Sequence, residues 1–180
     1  MYQFLFPSIG TVVGATAGKL ILPYFLDSKI YDTLFELYRL NRLYDEKIFD
    51  SKIDRLSFQP NKFLFKYFGA SCTIPDERVD ELASNLLKVE DYKLAPHKLH
   101  ALTSVFDDIE SSIENSSADD LVSIFSVLVI RAKVRNFGCH IQFITDFLYQ
   151  QLKSGRQAYS FTLVKSCYMA ILNDKFQKSS

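Results

Sequence analysis

No segment of this 180-residue chain carries a run of basic side chains, and its 21 lysines and arginines are cancelled by 21 aspartates and glutamates. Nucleic-acid binding needs a basic face to neutralise phosphates, so that class is set aside. The same balance argues against an anchor that holds an anionic membrane by charge alone. Cysteine is scarce, odd in number and widely spaced: Cys72, Cys139 and Cys167. That pattern gives neither a disulfide framework nor a zinc set, fits a reducing compartment, and reads as three buried or half-buried thiols. The six glycines are scattered, so no phosphate-cradling loop is present, and no Gly-x-Ser-x-Gly elbow occurs. Strand-like alternation of useful length, internal repeats and low-complexity tracts are missing as well.

What the chain does have is apolar material, 48% of its residues. That is enough for one folded domain, which at this length buries about 70% of its unfolded surface. The first 26 residues form an apolar leader rich in small residues. Gly10, Gly14 and Gly18 recur every four positions there, as in some membrane-helix contacts. Lys19 interrupts the run, and Pro7 and Pro23 bracket it. Ala15-Thr16-Ala17 resembles a signal cleavage site, but the basic n-region is absent. The plainer reading is a poorly ordered leader or the edge of a longer protein.

From residue 27 onward the period is helical. A first helix is expected from about Ser28 to Asn41, with Ile30, Leu34, Leu37 and Tyr38 inward. A second is expected from Tyr44 to Leu56, burying Ile48, Ile53 and Leu56. Pro60 suits the first turn of a short third helix and Gly69 its stop. Thr73-Ile74-Pro75-Asp76-Glu77 opens a helix that buries Val79, Leu82 and Leu86, with acids where the dipole favours them. Pro96 opens the next, and its stripe of Leu99, Leu102, Phe106, Ile109 and Ile113 steps by three, four, three and four. Ser117 and Asp120 have capping-box spacing ahead of the nearly all-apolar run from Leu121 to Ile130. A buried strand would read much like that run, but the cap and the length favour a helix. Ile141, Ile144, Phe147 and Leu148 mark another helix, and Thr162 to Leu172 the last. The expected fold is all-α, a single layered bundle of about eight helices.

Catalytic groups are sparse. His97 and His100 stand three apart, with no third metal ligand near them, and read as solvated histidines. His140 follows Cys139, but adjacent helical residues point about 100 degrees apart and do not face each other. Asp107-Asp108 reads as a solvated helix face. Asp119-Asp120 sits at a helix N-terminus, where acids commonly serve as dipole-stabilising caps, and where a projecting group is also well placed.

Three segments taken together carry a resemblance. They are Ser117-Ala118-Asp119-Asp120-Leu121 with its apolar helix, Ile141-Gln142-Phe143-Ile144-Thr145-Asp146-Phe147, and Gly155-Arg156-Gln157-Ala158-Tyr159-Ser160-Phe161-Thr162-Leu163. In order and spacing they resemble the vacuolar protein sorting nine (VPS-nine) domain family of Rab guanine nucleotide exchange factors. The stretches 30–38 and 131–138 are similar to its alsin-like branch. The resemblance covers residues 27–177 as the domain and leaves the 1–26 leader unexplained.

The resemblance implies GDP release from a Rab-five subfamily GTPase, met in its GDP-bound or nucleotide-free form, by a cytoplasmic protein peripheral to early endosomes. It makes Asp119 an acidic finger that pairs with the phosphate-loop lysine of the GTPase and opposes the magnesium ion. Tyr159 and Thr162 become contacts to the switch regions, and Asp120 and Ser123 are counted with them as GTPase-binding positions. Exchange makes no covalent bond, so no cofactor and no metal on this chain are expected. Self-association is a further property of the alsin-like branch.

Two positions depart from the family pattern. Ser123 stands where proline is usual, which predicts a less firmly aimed aspartate. Ala158 replaces a glycine, which costs about 1 kcal/mol if that position needs a positive φ. These departures leave open a degenerate domain that binds Rab or a sibling chain as a scaffold without efficient exchange. An unrelated helical interaction module or membrane-associated module is the third alternative.

Overall fold

A computed structural model describes residues 29–113, 117–149 and 151–174. The leader at 1–26 lies outside the described residues. Among those described there are eight α-helices, one 3-10 turn and no strand. The helices are α1 Lys29–Asn41, α2 Leu43–Ser57, α3 Asn61–Tyr67, α4 Asp76–Leu87, α5 Ala95–Ser112, α6 Ala118–Ala132, α7 Phe137–Phe147 and α8 Arg156–Leu172.

The apolar run behind the capping box is the centre of the molecule. Leu121 and every residue from Ser123 to Ile130 are buried, and α4, α8, α2, α5 and α3 all pack against α6. A helix apolar on most sides has to be covered on most sides. The α5 stripe works as its spacing requires: Leu99, Leu102, Phe106 and Ile109 are buried, and Phe106 stacks on Phe125 of α6 at 4.5 Å between centroids. Val79, Leu82 and Leu86 of α4 are fully buried.

α3 stops as expected and does so tightly. Gly69 takes a positive φ of 82°, its amide donates to the Lys66 carbonyl at 3.1 Å, and the Ala70 amide donates to the Phe65 carbonyl at 2.9 Å. This pair of bonds is the Schellman arrangement, in which a left-handed residue satisfies the last free carbonyls of a helix. At the opposite end of α6, Arg131 donates to the Ser57 carbonyl at 2.7 Å, to the Gln59 carbonyl and to Asn61, and so holds the α2–α3 connection.

Several expectations are corrected. The inward face of α1 is Tyr31 and Tyr38, with Leu34 and Phe35 partly buried, while Ile30 and Leu37 are 54% and 57% exposed. Both faces of α1 are apolar, and the aromatic one wins because Tyr31, Phe35 and Tyr38 all close on the single ring of Phe143 in α7. The Tyr38 hydroxyl also donates to Asp146 at 2.8 Å, so its polar tip is satisfied. On α2 the buried residues are Glu46, Phe49, Ile53 and Leu56, with Ile48 half-buried. α7 starts at Phe137, after a left-handed Asn136, and leaves Phe147 partly exposed. α8 starts at Arg156, six residues ahead of the expected Thr162.

Two charged groups lie in the layer under α1 and α2. Lys98 is 0% exposed, and its ammonium group meets the Val89 carbonyl at 2.8 Å and His140 Nδ1 at 3.1 Å under the rings of Tyr31 and Phe35. Glu46 is buried beside Arg42 and the Tyr168 hydroxyl, and Gly138 packs so closely that a Cβ there would lie 2.3 Å from the Glu46 Oε1 atom.

Candidate functional site

The N-terminus of α6 is built by its own sequence. Ser117 caps it: the Asp120 amide donates to Ser117 Oγ at 3.1 Å, and Asp120 Oδ2 accepts from the Ser117 amide at 3.1 Å and from its hydroxyl at 2.6 Å. This is the expected capping box, with aspartate doing the work of glutamate. The other oxygen, Oδ1, accepts from the Ser71 amide and from the Ser71 hydroxyl, both at 2.7 Å. Those bonds, led by the Ser117 hydroxyl, hold the Asp120 carboxyl well below the usual carboxylate range.

Asp119, one residue earlier, is exposed, and among the described residues no donor holds its carboxylate. The two neighbours therefore have different jobs. Asp120 is inward and saturated with donors, whereas Asp119 projects from the positive end of a helix with its oxygens uncommitted.

Ser123 also faces inward. It is buried in the second turn of α6, and its hydroxyl donates to the Phe68 carbonyl at 2.7 Å. Serine thus supplies a tether where proline would have supplied stiffness. Asp120 and Ser123, expected among the binding positions, are occupied with the 68–71 segment and present little surface to a partner.

The second half of the site is on α8. Gly155 precedes the helix with φ 94°, and Arg156 reaches back to α5, donating to Asp107 at 2.8 Å and to Glu110 at 2.5 Å. Glu110 lies in the last turn of α5, and only three positions separate Ile113 from Ser117, so these pairs keep the start of α8 near the α5–α6 corner. Tyr159 is 51% exposed, and Thr162 is exposed with its hydroxyl donating to the Ala158 carbonyl at 2.9 Å. Thr162 is therefore a mid-helix residue and not a helix cap. Ala158 lies within α8, and the positive φ angles among described non-glycine residues belong to Lys133 and Asn136. Alanine at 158 thus carries no backbone strain, which corrects the second expected weakness.

Sequence reasoning missed the continuation of this face. Tyr159, Thr162, Ser166 and Met169 are all exposed and step by three, four and three along α8. That spacing is one helical stripe, and it becomes visible once the helix is known to begin at Arg156. His97 and His100 are exposed. His140 is buried against Lys98, and its neighbour Cys139 is buried and free, its thiol pushed up to about 12 by burial. No helix among the described residues is long and apolar enough to cross a membrane.

Comparison with known proteins follows the same residues. Alsin of Rattus norvegicus is 30% identical over 194 aligned residues, which cover 94% of this chain and 12% of that protein. Human alsin is 29% identical with the same coverage. Receptor-mediated endocytosis protein 6 of Caenorhabditis briggsae is 33% identical over 89 residues, 46% of this chain and 8% of that protein. The chain thus spans only 12% of the length of the alsins it matches. The family model for the vacuolar sorting protein 9 (VPS9) domain matches residues 79–176, a little over half the chain. Asp119, Tyr159 and Thr162 all fall inside that match, on the helices just described, and the chain belongs to the VPS9 domain family.

Proposed function

We propose that this domain is a guanine nucleotide exchange factor for a Rab GTPase of the Rab-five subfamily, engaged in its GDP-bound or nucleotide-free form. One observation carries the reading: Asp119 projects free at the N-terminus of the central buried helix, beside a carboxylate that is fully engaged. A free carboxylate carried on a fixed turn competes with the nucleotide's phosphate for the lysine of the GTPase phosphate loop. It also repels the remaining phosphate charge, so GDP leaves faster. The chemistry is displacement without covalent change, so Asp119 needs no base, nucleophile or cofactor from this chain.

Tyr159 and Thr162 are proposed as contacts to the GTPase, with Ser166 and Met169 extending the surface they share. A half-exposed tyrosine offers apolar area with a polar tip, the usual anchor of such an interface. Asp120 and Ser123 act behind this surface and hold the finger's turn. The name of the relative Receptor-mediated endocytosis protein 6 supports an endocytic setting, and a place at the cytoplasmic face of early endosomes is carried over from the family resemblance. Self-association is carried over from the alsin-like resemblance and belongs to the same proposal. The scaffold reading rested on Ser123 and Ala158; the tether of one and the regular helix around the other favour exchange instead.

The test is release of fluorescent GDP from a panel of Rab GTPases, with wild type and Asp119→Ala compared. Acceleration of a Rab-five subfamily member is expected, and the alanine variant is expected to lose on the order of 100-fold of it. A complex that forms on a column without faster release would replace the exchange reading with the scaffold.

A further inference from the structure

We propose that Ser71 is a positioning residue for Asp119, fastening the first turn of α6 to the loop after α3 so that the free carboxylate is presented at a fixed angle. The consequence for catalysis rests on the exchange reading above, while the geometry rests on hydrogen bonds alone.

The capping box closes the first turn of α6 on itself but ties it to nothing else, because Ser117 and Asp120 belong to the same turn. Ser71 is the main outside anchor, with the thiol of the next residue, Cys72, also meeting the Asp120 carboxylate. Ser71 lies 49 positions away in sequence and gives both its amide and its hydroxyl to the same Asp120 oxygen. Bonds to a carboxylate are stronger than neutral ones, and two converging on one atom restrict direction as well as distance. The Ser123 hydroxyl adds a second anchor at the Phe68 carbonyl, about one turn deeper into α6. One tether would leave the helix end free to swivel. Two tethers to one short segment, 68–71, fix its direction.

That segment is itself stiffened by the Schellman stop at Gly69, whose positive φ turns the chain so that the Phe68 carbonyl and the Ser71 amide both face α6. Asp119 is the next residue along the backbone from Asp120. A displacement of about 1 Å at a reacting group can cost on the order of 100-fold in rate, so a clasp one residue away is placed to matter.

The test uses the full chain with Ser71→Ala, Ser71→Thr and wild type. Two readouts are taken: hydrogen–deuterium exchange of the Asp120 and Leu121 amides, which bond to Ser117, and saturation kinetics of GDP release. Ser71→Ala is expected to exchange those two amides about tenfold faster and to lower the maximal release rate about tenfold. The half-saturating concentration is expected to stay within about twofold. The thermal midpoint is expected to fall by no more than about 6 °C, so the variant stays folded at the assay temperature. Ser71→Thr keeps the hydroxyl and is expected to restore both readouts. Unchanged amide protection in Ser71→Ala overturns the proposal, as does a rate loss seen only as weaker half-saturation. If wild type accelerates no Rab, the exchange reading falls by itself, and the two amides alone decide the clasp.

Discussion

Asp120 and Glu46 are both buried carboxylates in one small bundle, and they are kept in opposite ways. Asp120 has a donor for every lone pair it can offer: two from Ser71 and two from Ser117. Glu46 has Arg42 at 3.7 Å and the Tyr168 hydroxyl at a long 3.4 Å, and its Oε2 atom has no hydrogen-bond partner. Burial pushes the Glu46 carboxyl up to about 7, against the pull of Arg42. Lys98, in the same layer, is brought down to about 7 by burial, with Glu90 and Asp91 opposing. Asp120, behind Asp119, is held ionised across the physiological range by its donors. The layer under α1 and α2 titrates inside it. Saturated hydrogen bonding gives aim, and incomplete pairing gives a group whose charge is negotiable.

The sharpest way to break this contrast is Asp120→Ala. It leaves the Ser71 and Ser117 donors without their acceptor, and a loss of about 3 kcal/mol in urea unfolding is expected. A loss below about 1 kcal/mol would show that the clasp is held by other contacts.

A pH series of urea midpoints sharpens it next. Between the ordinary carboxyl value of 4.5 and about 7, folded Glu46 keeps a proton that the unfolded chain has released, so its contribution falls as pH rises. Between about 7 and 10.5, the unfolded chain keeps a proton on Lys98 that the folded chain has lost, so that contribution rises with pH. The Lys98 limb is the larger, on the order of 5 kcal/mol against about 3 for the Glu46 limb. Buried His140, its pKa lowered by burial and by Lys98, contributes a rise with pH below its ordinary 6.5 that opposes the Glu46 limb. Glu46→Gln is expected to flatten the acid limb and Lys98→Met the alkaline one. Limbs that persist unchanged in both variants would assign the dependence to other groups.

The smallest effect expected is on α1. Leu37→Gln changes an outward residue and is expected to shift stability by less than about 0.5 kcal/mol. Tyr38→Phe removes the hydroxyl bonded to Asp146 and is expected to cost about 1 kcal/mol. The reverse order of these two would return Leu37 to the inward face.

α1, where Tyr38 and Leu34 turn inward as expected but Ile30 and Leu37 do not, shows where sequence reading runs out. A helix with one apolar stripe declares its inward side, as α5 does through Leu99, Leu102, Phe106 and Ile109. A helix with two declares nothing, and the choice falls to the partner ring, Phe143. The place of Asp119 at the start of α6 was legible because a capping box and an apolar run fix where that helix begins, while its part in the site came from the family resemblance. Tyr159 and Thr162 came from the family resemblance, and their shared stripe stayed hidden because α8 begins at Arg156 without a capping side chain to mark it. Ser71 left no local trace, since a loop serine reveals its role only when a residue 49 positions away arrives beside it. Lys98 and Glu46 were invisible for the opposite reason: charged residues read as surface, and only the assembled layer shows them enclosed.

Lys98 also gives the domain a built-in clock. Its amine is a nucleophile when deprotonated, and in the folded domain it is sealed beneath Tyr31 and Phe35. An acylating reagent reaches it only in the moments when α1 lifts away, whereas exposed lysines such as Lys62 react at once. The rate of acylation at Lys98 therefore counts the openings of one helix, separately from global unfolding.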